Sequence, residues 1–225
     1  MTNPMGEFLP LAAGVAMSPL PIIAIILMLF SKRAKSNSLA FLFGWVLGLT
    51  IVCEVVLFVA GTQNFAPSSE PSTAASIVRL LLGMLLLSLA ARQWKSRPKP
   101  GEQPTMPKWM RNIDSLGPGK ALGLAFLLSA VNPKNLPLAL TAALDIAQAG
   151  LSSIQSAIML CLFIVIGSIT VAGPVADYLV MGNKASETLD AWKSWLTENN
   201  ATVMFVLFLV LGVVLLGKGI SGFSG

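Results

Sequence analysis

Histidine is absent from this 225-residue chain, which excludes a histidine-ligated metal site and an imidazole proton shuttle. Cysteine is nearly absent: Cys53 and Cys161 both fall inside apolar stretches and are expected as buried apolar filler. Charge is scarce too, at 11% of residues against 55% hydrophobic. With a mean hydropathy of +0.77, the chain has too little polarity to clothe a soluble domain. Connections between the apolar stretches are short, so no separate soluble domain is expected. No nucleophile–base pair or metal constellation can be assembled, so an enzyme is not expected and no cofactor is called for.

Long hydrophobic runs are what the chain does have. Six stretches, roughly 8–30, 39–61, 75–94, 119–143, 154–176 and 200–220, approach or exceed the ~20 residues that cross a bilayer as a helix. The expected fold is an all-α polytopic membrane protein with six transmembrane helices. The 8–30 stretch lacks a basic leader and a small-residue cleavage site, so it reads as a mature helix rather than a signal peptide.

The net charge of +5 could suggest nucleic acid, but the placement of the basic residues points to topology. Lys32, Arg33 and Lys35 follow the first stretch. Arg92, Lys95, Arg97, Lys99, Lys108, Arg111 and Lys120 surround the connection between the third and fourth, and Lys184 and Lys193 precede the sixth. The alternate connections hold no lysine or arginine; Arg79 sits just inside the third stretch and Lys218 at the far end. The positive-inside rule then places three basic loops in the cytoplasm and both termini outside the plasma membrane. Anionic membrane lipids are the partners such a face attracts, and no nucleic acid is expected.

The two halves echo each other. Ala16-Met17-Ser18-Pro19 answers Ala130-Val131-Asn132-Pro133, and the Leu80–Ser88 segment answers Leu209–Gly217, with Gly83 matching Gly212. Three spans per half is an odd number, so the second half would insert upside down, as two inverted three-helix repeats. The expected division is 1–94 for the first repeat, 95–118 for a cytoplasmic linker and 119–225 for the second repeat. Pro98, Pro100, Pro104, Pro107 and Pro118 prevent that linker from forming one helix. Within it Trp109, Met110, Ile113 and Leu116 alternate with Lys108, Arg111 and Asp114, and Ala185 to Leu196 carries a second amphipathic pattern. Both read as interfacial anchors.

Each half opens on a helix broken by proline: Ser18-Pro19-Leu20-Pro21 in the first, Asn132-Pro133-Lys134-Asn135-Leu136-Pro137 in the fourth. Proline removes an amide donor and crowds a carbonyl one turn earlier. Irregular backbone at membrane depth persists only where it is buried in protein or lines a wet cavity. Paired breaks therefore point to a substrate site built from Ser18, Pro19, Pro21, Asn132, Pro133, Lys134, Asn135 and Pro137. The competing reading is a pair of kinks repaired by neighbouring helices. Lys134 stands in an otherwise uncharged stretch, about 20 Å from its inner end at 1.5 Å per residue. A central lysine costs at least about 2.5–3.5 kcal/mol, so an anionic group of the substrate or a gating carboxylate is its expected partner. Snorkelling toward the outer surface is the alternative.

Glu54 and Arg79 lie at similar depth, about 10 Å and 7 Å from the outer ends of consecutive spans, and are expected to pair. Otherwise Glu54 would exchange a proton during transport as Arg79 approaches and withdraws. Asp145 and Asp177 lie near span ends and are expected to be solvated, although Asp145 follows the broken helix and could face a vestibule. Glu54, Arg79 and Asp145 form the coupling or gating set. Gly44 and Gly48, with Gly167 and Gly173-Pro174, suit close helix packing or a hinge.

The Pro-x-Pro break at Pro19–Pro21 and the Asn132-Pro133-Lys134 motif resemble the lysine-exporter (LysE) superfamily. Ser18-Pro19-Leu20-Pro21, the long basic linker and Asn132-Pro133-Lys134-Asn135 are most similar to the sulfolipid-addressing, Sap/GAP-like group of mycobacteria and other actinobacteria. The resemblance implies movement of cell-envelope glycolipids or related small molecules across the plasma membrane. Related electron-carrying proteins place a cysteine where this chain has Leu20 and Lys134, and metal-exporting relatives use clustered acids or histidines; neither pattern occurs here.

The expected function is therefore a secondary transporter that moves a glycolipid, lipid precursor or other amphipathic molecule by alternating access. Export of an amino acid or metabolite against proton entry is second. Third is a non-transporting partner of a lipid-export or lipid-synthesis assembly. The glycines permit a homodimer without requiring one.

Overall fold

Proline decides where the first apolar run breaks. In the computed structural model, which describes residues 4–62, 73–97, 110, 113 and 116–223, helix α1 spans Pro4–Ala16 and α2 spans Pro19–Leu29. Ser18 between them is extended, at φ −95° and ψ 101°, as a residue before proline favours. Pro19 then takes the first helical position, where its missing N–H has no intrahelical partner to lose. The two axes meet at 42°. The fourth run breaks similarly into α5, Pro118–Ala130, and α6, Asn135–Gln148. In that gap Asn132 Oδ1 accepts the Lys134 amide at 2.9 Å and the Asn132 carbonyl accepts the Leu136 amide at 3.0 Å. Pro137 falls in the first turn of α6, which tolerates it.

The remaining runs are uninterrupted: α3 spans Ala34–Thr62, α4 Thr73–Lys95, α7 Ser153–Met181 and α8 Ser186–Ser221. These four are long and apolar enough to cross a membrane, and the bent α1–α2 pair is a fifth when its two helices are counted as one span. The chain is thus a multi-pass, all-helical membrane protein among the described residues. The fourth expected span, 119–143, is two short helices, broken where the prolines lead one to expect, and α5 alone is a short apolar helix. The amphipathic segment expected at 185–196 is not a separate surface helix. After a 3-10 turn at Gly182–Ala185 it forms the first turns of α8, whose 36 residues extend about 54 Å, well past a ~30 Å hydrocarbon core.

Close approach sets the packing. A Cβ on Gly44 would lie 2.3 Å from the Leu122 carbonyl oxygen and one on Gly48 2.0 Å from Ser129 Oγ, so α3 and α5 meet with nothing larger than glycine between them. Helices α4 and α8 meet reciprocally. A Cβ on Gly83 would lie 2.9 Å from Leu216, and one on Gly212 2.8 Å from Leu87. Inside these pairs, α1 packs on α6 and α7, and α2 on α8. Phe8, Leu11, Val15, Phe41, Trp45 and Leu138 are buried in the centre. Leu81, Val165, Val180 and Phe58 stand exposed on outer faces, as lipid rather than water would favour.

Two expectations change here. Cys53 is buried, but Cys161 is exposed on the outer face of α7. Met110 and Ile113 are not surface anchors: both are buried in the apolar core, next to Leu116, whose carbonyl accepts Asn37 Nδ2 at 2.8 Å. The remaining linker residues named above between Pro98 and Asp114 lie outside the described residues.

Candidate functional site

The two helix breaks meet. Ser18 Oγ donates to Asn135 Oδ1 at 2.9 Å and accepts from Lys134 Nζ at 2.6 Å. Asn135 Nδ2 donates to the Leu128 carbonyl at 2.9 Å, which fixes the amide so that its oxygen faces Ser18. Three side chains from breaks more than a hundred residues apart thus form one buried chain of hydrogen bonds.

Lys134 is only 1% exposed, so snorkelling to the surface does not occur. Its ammonium has three donors, and Ser18 Oγ takes one. No carboxylate lies within ion-pair distance of it among the described residues. A buried cation without a counter-ion costs several kcal/mol even after relaxation, a cost that an incoming anion would offset.

A cavity of about 260 Å³ adjoins it. Ser18, Pro19, Pro21, Asn132, Pro133 and Lys134 line one side, and Leu89 and Gln93 of α4 with Asn200, Met204 and Phe208 of α8 line the other. Asn200 Oδ1 is buried with no hydrogen-bond partner. A buried acceptor left open beside under-used ammonium donors can be satisfied by a polar ligand or by water in the cavity. Gln93 and Asn200 escaped the reading of the sequence because each sits near the end of an apolar run, where a polar residue is ordinary. Pro137 does not line the cavity; its carbonyl accepts Thr141 Oγ1 at 2.9 Å within α6.

The second polar set differs from expectation. Arg79 pairs not with Glu54 but with Asp145, Nη2 to Oδ1 at 2.6 Å, and also donates to Gln148 Oε1 at 2.8 Å. Lys218 Nζ holds the other oxygen, Oδ2, at 2.7 Å. Glu54 is exposed on α3. The physical reason is neighbour choice: α4 packs along α8 rather than beside α3, so equal depth on consecutive helices brings no contact. Asp145 is correspondingly buried rather than solvated. Its carboxylate clamps α4, α6 and α8 together. Along α4, Arg79 and Gln93 are about 21 Å apart at 1.5 Å per residue, so this network and the cavity lie toward opposite ends of the α4–α8 pair.

Over residues 8–221 the chain matches the sequence profile of a family described as Sap, sulfolipid-1-addressing protein. No curated protein and no solved structure matches the chain.

Proposed function

This chain belongs to the Sap, sulfolipid-1-addressing protein family, and we propose that it is a secondary exporter whose cargo is an anionic cell-envelope lipid or lipid precursor, held by its charged head at Lys134. The observation that carries this reading is a buried ammonium without a carboxylate partner, facing a cavity where two proline-broken helices meet. A sulfate, phosphate or carboxylate would take the unused Nζ donors, while a hydroxyl of the head would satisfy Asn200 Oδ1.

In this reading the breaks belong to two inverted three-helix repeats, 1–94 and 119–225, joined by the linker 95–118, on the plan of the lysine-exporter superfamily the sequence resembles. The reciprocal Gly83–Leu216 and Gly212–Leu87 contacts support an internal two-fold, since they exchange equivalent positions of the echoed segments. The α5–α6 pair is then the sixth span. The basic connections support an orientation in the plasma membrane with the 260 Å³ cavity toward the cytoplasm and the Arg79–Asp145–Lys218 network as a closure toward the outside. Rocking of the repeats would open that network and deliver the cargo outward.

A second reading has one observation in its favour. At about 260 Å³ the cavity is below the ~300–1,000 Å³ of drug-sized sites, so it accommodates a lipid head or a small metabolite, not a whole lipid. Proteoliposome flux separates the two. A fluorescent long-chain sulfated glycolipid should be exported by the wild type and not by Lys134→Ala at equal abundance. Transport of a free amino acid alone, or equal lipid flux by both proteins, overturns the reading.

A further inference from the structure

A second cavity, of about 510 Å³, lies on the other face of the α1–α2 break, and no part of the proposed head-group chemistry uses it. Its wall is formed by Ile22, Ile169, Thr170, Pro174, Trp192 and Trp195. The one hydroxyl in that set is occupied, since Thr170 Oγ1 donates to the Ala16 carbonyl freed at the break. Beyond that hydroxyl and the indole N–H groups of Trp192 and Trp195 the lining is apolar, with no charged side chain in it. Ile169 at 56%, Trp192 at 50% and Trp195 at 56% exposure form its rim, so it opens on the lateral surface of the bundle.

The two cavities are lined by nearby residues of the same two helices. On α2, Pro21 lines the polar cavity and Ile22 the apolar one; on α8, Asn200 lines the polar cavity and Leu196, one turn earlier, the apolar one. On α8 the two linings are one helical turn apart, so a chamber of ligand size borders the same helices as the polar cavity. Gly173 adds to it. A Cβ there would meet nothing within 4 Å, whereas Gly44, Gly48, Gly83 and Gly212 are each closed by a neighbour. Its smallness serves no packing contact and keeps the chamber wide.

We propose that this chamber is the alkyl-chain subsite of the same ligand, so that the cargo is an anionic amphiphile whose head sits against Lys134 and whose hydrocarbon chain runs past Ile22 and Leu196 into the space beside Gly173. The proposal rests on the head-group reading of Lys134. It narrows the cargo to single molecules that combine an anion with a hydrocarbon chain, and it sets a limit on the polar cavity acting alone.

The test uses the full chain in nanodiscs with a long-chain alkyl sulfate bearing a diazirine at the chain end, present at low ratio to bulk lipid, with cross-links mapped by mass spectrometry. Labels on the 169–174 and 192–196 segments should exceed those at Val180, a lipid-facing residue 85% exposed. Gly173→Phe fills the chamber and should cut that labelling about tenfold, a loss equivalent to ~1.4 kcal/mol of binding. Leu196→Trp, from a different helix, should do the same. Both should leave binding of a methyl sulfate head unchanged. Lys134→Ala should remove methyl sulfate binding and reduce chain labelling together. Labelling equal to that at Val180 and indifferent to both fillings overturns the chain subsite while the head-group reading stands. Loss of labelling on filling, with Lys134→Ala without effect on either probe, overturns the head-group reading and with it the shared ligand.

Discussion

Two polar clusters occupy the same apolar bundle and differ in one respect, the presence of a counter-ion. At one end of the α4–α8 pair Asp145 is clasped by Arg79 and Lys218, and the three charges bind helices to one another. At the other, Lys134 is buried deeper than any of them, yet its ammonium, among the described residues, bonds only to Ser18 Oγ and has a cavity beside it. A charge with an internal partner is part of the scaffold or of a closure. A charge without one marks where an outside molecule completes the balance. On the proposed function, this difference gives closure to one cluster and cargo to the other.

Removing the shared anion should have the largest effect on stability. Asp145→Ala removes the carboxylate that Arg79 and Lys218 share and should cost about 3–5 kcal/mol, read as a large drop in thermal unfolding midpoint in detergent. Lys134→Met should do the opposite. It replaces an unpaired buried charge by an apolar chain of similar length and should stabilise the protein by roughly 1–4 kcal/mol in the same assay while transport is lost. Gly44→Leu drives a side chain into the Leu122 backbone and should cost about 3 kcal/mol or more, since close-packed helices relax only partly. Ser18→Ala removes the hydroxyl that links the breaks; transport should fall about fivefold, on the order of the ~1 kcal/mol of a single hydrogen bond. Glu54→Gln should change neither stability nor flux measurably, because Glu54 belongs to neither cluster.

The breaks and Lys134 were legible in the sequence because each is a local signal. Proline acts within one turn, and a lone lysine in an apolar run is conspicuous wherever the run packs. That the breaks meet followed from their repetition in two halves, and Ser18, Lys134 and Asn135 do form one hydrogen-bonded group. The partner of Arg79 was not legible. Depth along a helix can be counted from the chain, but which helix lies alongside depends on packing, and α4 chose α8 across the bundle through Gly83 and Gly212. The same choice brings Gln93 and Asn200 together from ends of runs far apart in sequence. The single-rod picture of the amphipathic 185–196 segment also escaped local reading, because α8 continues through it without a breaker.

These clusters should lie on one pathway, the Lys134 cavity toward the basic connections and the Arg79–Asp145–Lys218 closure at the other end. A membrane-impermeant maleimide reads this directly, applied from either side to Gln93→Cys in a chain whose exposed Cys161 is replaced by alanine. The cysteine should label from the side of the basic connections when Asp145 is intact, and from the opposite side as well when Asp145→Asn loosens the Arg79 and Lys218 contacts. Labelling from one side only, unchanged by Asp145→Asn, would contradict it.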